Sequence, residues 1–334
     1  MTPLEHLQAA MAAVPGPDES AVAAVTERSS SVLRPAGAFA RLDEVAIWLG
    51  GWQRRPDPLV RQAAVVIFGG DHGVAAQGVS AYPAEVTVAM AGAITGGLAT
   101  SSALAAAHGA PLHFVDVGVG QPTEDFSIGD AMDAERFAAS WHVGREAIAG
   151  LDTDLLIIGE LGIGNTTAAA AVAAGLFGGT AADWVGLGTG VDDDGLARKR
   201  TVVDAGLARV GSADPLEVLR CLGGTELVAM AGAATEARRR SIPVLLDGFI
   251  ATSAMATIER AAPGALDHAL AGHCSAEPGH RRLLAALGKQ PLLDLDLRLG
   301  EASGALVALS VVTSAAAAVT NVATFADLEV TEPS

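Results

Sequence analysis

The order of residues predicts an α/β fold, a Rossmann-like parallel sheet with helices on both faces. Three observations carry that expectation. Short apolar runs of strand length recur along the chain, each is followed by a glycine-rich or polar turn, and each turn leads into an alanine-rich helical segment. Buried parallel strands joined by crossover helices leave this pattern.

Taken in order, residues 1–50 read as helices broken at Pro15, Pro17 and Pro35, where the missing amide and the ring interrupt a helical turn. Strands are expected at 64–68, 112–117, 155–158, 244–246 and 292–297, with weaker candidates near Trp184 and Ala269. Residues 302–325 carry no charge and are long enough to cross a bilayer. Their alanines, with Ser303, Ser310, Thr313, Ser314, Thr320 and Asn321, read instead as a helix close-packed inside the protein. A large α/β catalytic domain is expected over 61–305. The two chain ends, 1–60 with 306–334, are expected to form a small helical subdomain.

Composition narrows the function classes. A chain of 334 residues, 50% hydrophobic and with a mean hydropathy of +0.38, buries a large core. Its formal charge of −17 and pI near 4.7 speak against nucleic acid as a partner, since no dense basic stripe offsets the acidity. Cys221 and Cys274 provide neither a disulfide framework nor metal-ligand spacing, which fits a reducing cytoplasm. Residues 1–14 lack the basic and apolar regions of a signal peptide, and neither a targeting segment nor a membrane partner is expected.

The turns after the strands hold the chemistry. They read GGDHGV from Gly69, GELGIGNTT from Gly159, GLGTGVDDDG from Gly186, LDGF from Leu246, GHCSAEPGH from Gly272 and RLGEASG from Arg298. Glycines in such number suit loops that bring backbone N–H groups against a phosphate. In the second turn Asn165 and Thr166 are available to cap the next helix, and the Walker lysine is missing, so a nucleotide triphosphatase is not expected. GLGTG matches a dinucleotide fingerprint poorly, for want of a third glycine. Asp192, Asp193 and Asp194 offer either a magnesium site or, as we read them, a cap and a solvated first turn. Lys199 and Lys289 are the only lysines, and Lys199 beside a glycine-rich turn is a candidate phosphate partner or a surface residue.

His72, His273 and His280 share no metal-binding spacing and read as hydrogen-bonded structural residues. Ser275 lacks a nucleophile elbow and reads as a phosphate donor. Glu301 is a lone carboxylate between the run 292–299 and the uncharged helix, placed at a strand's carboxyl end. It is either a reactive group or a favourable charge on a helix N-terminus.

Six of these segments, collinear from residue 69 to 305, resemble the nicotinate-nucleotide:dimethylbenzimidazole phosphoribosyltransferase family. They are GGDHGVAAQGVSAYPAEVT, GELGIGNTTAAAA, GTGVDDDGLARK, LDGFI, HCSAEPGH and RLGEASGA. The resemblance implies Glu301 as general base and Glu160 as a second carboxylate supporting the transition state. It implies that Gly162, Gly188, Lys199 and Ser275 hold the 5′-phosphate and that Leu299 and Tyr82 lie near the bases. It further implies a homodimer acting on nicotinate mononucleotide and a benzimidazole-type base, with no cofactor and no metal. Many members carry a glutamine where this chain has Val88, Ala89 and Met90, which bears on the accepted base. A magnesium-dependent transferase using phosphoribosyl pyrophosphate and a non-catalytic nucleotide-binding protein are the alternatives.

Overall fold

The computed structural model describes residues 1–328 apart from 36, 189, 212 and 213. Five parallel strands form its main sheet: β1 (Ala63–Gly70), β2 (Leu112–Gly118), β3 (Leu155–Leu161), β4 (Val244–Leu246) and β5 (Ala269–Ala271), in the order β2-β1-β3-β4-β5. The order reverses direction between β1 and β3, and parallel sheets of this type leave a crevice there at the carboxyl ends of the strands. Two further short strands, β6 (His273–Cys274) and β7 (Leu293–Asp294), pair in parallel beside that edge.

Alternation along the strands sends side chains to two cores. Val66, Phe68, Leu156, Ile158, Val244 and Leu246 face one apolar cluster, where the helices Ala134–Ala149, Asn165–Phe177, Thr225–Arg239 and Phe249–Ala261 lie. Val65, Ile67, Leu155, Ile157 and Leu245 face the other, against the helices Arg41–Gln53 and Ser303–Thr320. Because both faces of β1, β3 and β4 are covered, these strands carry no polar side chain until they reach the crevice, whereas the edge strand β2 is only partly covered and carries His113. On the first face, Gly144 meets the helix Thr225–Arg239 so closely that a Cβ there would stand 1.8 Å from the Ala229 carbonyl oxygen.

The chain ends pack onto this frame. Helices Pro3–Ala13, Glu19–Ser31 and Arg41–Gln53 are separated at the prolines. The Arg28 guanidinium donates to the carbonyls of Val319, Thr320 and Val322, satisfying the otherwise unpaired end of the last helix. Arg238, wholly buried, stacks on Trp52 and donates to the carbonyls of Val14, Pro15 and Gly264.

Two expected strands differ. Residues Ala181–Trp184 form a short helix opened by a capping box between Thr180 and Asp183. Of the run 292–297 only Leu293–Asp294 is a strand, because the backbone turns left-handed at Asp296 and the exposed Leu295 has no sheet face to cover. Helix Ser303–Thr320 meets the length and apolarity of a membrane span, as does the stretch Val86–Ala107. The first packs one side against the sheet. The second is broken by a turn at Gly96 and Gly97 into the helices Val86–Thr95 and Thr100–Ala107.

Candidate active site

A cleft of about 360 Å³ opens over the carboxyl ends of β3 and β4. Glu160, Gly162, Gly188, Ser275, Leu299, Tyr82 and Glu301 all line it, although they come from turns spread over more than two hundred residues. Lys199 does not line it and sits buried beneath the Gly188 loop.

Glu160 is the penultimate residue of β3 and is buried. Oε2 accepts a hydrogen bond from the Asn165 amide. Oε1 stands over Gly300, where a Cβ would come within 2.6 Å of it. Gly300 has a φ of +83°, so glycine is required there on both counts. Burial above all, then the charges of Asp247 and Glu226, and last that of Glu301, push the Glu160 carboxyl up to about 8 against the opposing Asn165 bond. Asp247 is itself held by the backbone N–H of Ala305 at 2.9 Å and faces His273 Nε2 at 3.5 Å.

Glu301 reaches the cleft through an uncommon backbone. Gly300, Glu301 and Ala302 are consecutive left-handed residues, with φ of +83°, +58° and +64°. Glu301 therefore lies one residue before the N-cap Ala302 of the helix Ser303–Thr320, beside its N-terminus and outside its first turn. Its Oε2 accepts from the Ser101 hydroxyl at 3.2 Å. Burial raises its proton affinity, the Ser101 bond opposes, and Asp247 adds to the rise.

The neighbouring turns of the cleft supply groups suited to an anion. Helix Asn165–Phe177 begins at Gly164 with no side-chain cap; the Asn165 and Thr167 N–H groups bond back to the Gly162 and Gly164 carbonyls at 3.3 and 3.0 Å, and the Asn165 side chain serves Glu160 rather than capping. Lys199 Nζ donates to the Gly186 carbonyl at 2.9 Å and lies 2.9 Å from the place of a Cβ on Gly188. Burial lowers its proton affinity, opposed by the Glu277 carboxylate. Glu277 also accepts the Gly188 N–H at 2.8 Å. Ser275 is fixed by His280, whose Nδ1 accepts the Ser275 N–H at 2.8 Å and lies 3.0 Å from its hydroxyl. Burial takes the His280 imidazole down to about 3, so the ring is neutral and its proton sits on Nε2, facing Thr252.

Comparison with known proteins fits this layout. A phosphoribosyltransferase family model matches residues 14–330. The nicotinate-nucleotide–dimethylbenzimidazole phosphoribosyltransferase of Methylorubrum extorquens is 48% identical over 98% of this chain and 97% of its own, and that of Ruegeria pomeroyi 49% over 99% and 98%. A crystal structure of CobT from Thermus thermophilus superposes with a TM-score of 0.90 at 40% identity, covering 94% of this chain and all of that one. The chain belongs to the nicotinate-nucleotide–dimethylbenzimidazole phosphoribosyltransferase family.

Several groups that line the cleft or stand behind it in this family member escape a reading by motif. Asp247, Glu277 and Arg298 lie inside recognised turns but gave no separate signal. Ser101 lies on a helix with no signature. Asp192 accepts the Gly195 N–H as a helix cap, and Asp193 and Asp194 are exposed, which is the solvated first turn expected of them. His72 was expected to be a hydrogen-bonded structural residue, and its partner, Glu226, was unforeseen. A carboxylate set among LVAMAGAA was the available signal for Glu226.

Proposed function

We propose that the chain transfers the 5-phosphoribosyl group of nicotinate mononucleotide to 5,6-dimethylbenzimidazole or a related base. Nicotinate leaves and an α-ribazole 5′-phosphate forms by single displacement with inversion at C1′. The observation that carries this reading is one cleft in which two carboxyl groups of raised proton affinity stand together with Gly162, Gly188 and Ser275 from three separate glycine-rich turns. In this reading Gly162, Gly188 and Ser275 take the 5′-phosphate, Lys199 supports it as a charge from beneath the Gly188 loop, and Tyr82 and Leu299 flank the bases.

The chemistry matches those groups. The glycosidic nitrogen of nicotinate mononucleotide already bears positive charge, so bond breakage releases it neutral. The acceptor's N–H must lose a proton as its other nitrogen attacks C1′. Glu301, made more basic by burial, takes that proton. Glu160, its carboxyl pushed up to about 8, keeps its proton at neutral pH; the approach of a cationic ring favours release of that proton to solvent, and the resulting carboxylate faces the oxocarbenium-like centre. Val86 and Met90 supply an apolar wall of the cleft, and no glutamine stands at Val88, Ala89 or Met90, where many members carry one, which favours an uncharged aromatic acceptor. The homodimer, the cytoplasmic location and the division into domains 61–305 and 1–60 with 306–334 belong to the same reading.

The test uses nicotinate mononucleotide with benzimidazoles, purines and phenols, read by product mass. E301Q keeps the size of the side chain without its proton-accepting form. Its single-turnover rate is expected to fall by roughly two to four decades with nucleotide affinity little changed. Near-wild-type turnover would remove Glu301 as the base.

A further inference from the structure

Behind the turn at residues 162–165 lies a buried polar pair that the transfer reaction leaves without a task. His72 follows β1, and Glu226 opens the helix Thr225–Arg239. Their Nε2 and Oε1 atoms stand 2.6 Å apart, and both side chains are fully buried. Among the described residues nothing bonds His72 Nδ1 or Glu226 Oε2. Such a pair adds little net stability, because removing both groups from water offsets most of their attraction. The backbone around it is nevertheless fitted closely. A Cβ on Gly162 would stand 3.4 Å from Glu226 Oε1 and 3.5 Å from Asn165 Nδ2, one on Gly164 3.4 Å from His72 Cβ, and one on Gly224 2.2 Å from His72 Cε1.

We infer that His72 and Glu226 are a positioning pair for Glu160. They brace the turn that lays the Asn165 amide on Glu160 and keep a carboxylate beside it, so that Glu160 enters the cycle protonated, releasing that proton to solvent as the cationic nucleotide binds, while Glu301 is the base. This rests on the reading of both residues as the reacting carboxyls. The Asn165 N–H fixes Oε2 as an acceptor, so the proton of Glu160 resides on Oε1, the atom over Gly300. The charged groups facing Glu160 are Asp247 after β4, Glu226 with His72 behind it, and Glu301 after Gly300; the carboxylates all favour the protonated form, after burial itself. Two carboxyls in one cleft acquire different tasks when their surroundings hold their proton affinities apart.

Infrared difference spectra read this proton without turnover. A protonated-carboxyl band present in the wild type and missing in E160Q is expected at pH 7, and it should disappear with a midpoint about pH 8. In E226Q the midpoint should fall by about one unit, the scale of a neighbouring like charge. H72Q keeps a donor to Glu226 and leaves its carboxylate in place, so its midpoint should stay at or above that of the wild type. Should E226Q fail to fold, E226D withdraws the carboxylate by one methylene and should shift the midpoint the same way by less. No band at pH 7, an unmoved midpoint in the folded Glu226 variant, or a lowered midpoint in H72Q overturns the assignment. The pH profile of kcat/KM supplies a second readout: a merely structural pair would lower activity equally at every pH, whereas E226Q should displace the limb that is lost in E160Q. Absence of product from the wild type would defeat the transferase reading while leaving the infrared result intact.

Discussion

Glu160 is an ionisable group in a place that disfavours ionisation, and a sign follows for stability. Its folded-state value of about 8 exceeds the ordinary 4.5, so between these limits the folded protein keeps a proton that the unfolded chain releases. Stability from this group is complete below about pH 4.5 and is lost as the pH rises through 8. Glu160→Gln removes the dependence and preserves an acceptor for Asn165. It is expected to stabilise the protein by on the order of 2–4 kcal/mol at pH 8 and by much less at pH 5, while activity falls. Melting temperatures across that range check it; a difference that does not grow with pH refutes it. At the phosphate end, Lys199→Ala and Ser275→Ala should weaken nicotinate mononucleotide by roughly one to two decades and the dephosphorylated riboside far less. Equal losses for both ligands would place these residues elsewhere. Glu301 was legible as a lone carboxylate before an uncharged helix. The three left-handed residues that aim it were not, because only Gly300 among them advertises such a backbone.

Elements were legible where apolar runs are continuous and opaque where tertiary contacts decide. Strands at 64–68, 112–117, 155–158 and 244–246 fall within β1 to β4; in β1, β3 and β4 burial on both faces demands unbroken hydrophobicity, while the edge strand β2 is half exposed and admits His113 and Asp116. The alternating run 292–297 carries the same period-two signal, yet only Leu293 and Asp294 find a partner strand. The close crossing of helices Ala134–Ala149 and Thr225–Arg239 gives an element-scale prediction in which geometry reverses propensity. Alanine for glycine inside a helix ordinarily gains about 0.5–1 kcal/mol. At Gly144 the new methyl would stand 1.8 Å from a carbonyl oxygen, so Gly144→Ala should lose about 2 kcal/mol or more by forcing the helices apart. Gly92, in the helix Val86–Thr95 with nothing within 4 Å of its Cβ position, is the matched control and should show the ordinary gain. Chemical denaturation of both variants decides, and a stable Gly144→Ala would mean that the crossing yields freely.

At the scale of the whole molecule, the six collinear turns made the family legible because a cleft assembled from strand ends keeps its residues in chain order. The surface was less legible, since burial by another subunit and burial in the core leave similar apolar patterns. Helix Val86–Thr95 shows the ambiguity. Val86 and Met90 face the cleft, Thr87 and Ile94 face the core, and Val88, Ala89 and Gly92 form a third apolar side open to solvent. Leu98 in the turn that follows is 84% exposed, and Tyr82 and Val88 are more than half exposed. A soluble monomer rarely presents such side chains together, and a chain of formal charge −17 would pair through its least charged face. The proposed homodimer is therefore expected to cover this helix, which ties assembly to acceptor binding through Val86 and Met90. Val88→Asp with Leu98→Asp should shift sedimentation at micromolar concentration from dimer to monomer and raise KM for the aromatic base, with the affinity for nicotinate mononucleotide less affected. A wild-type monomer, or a double variant that remains dimeric, would separate this apolar face from assembly.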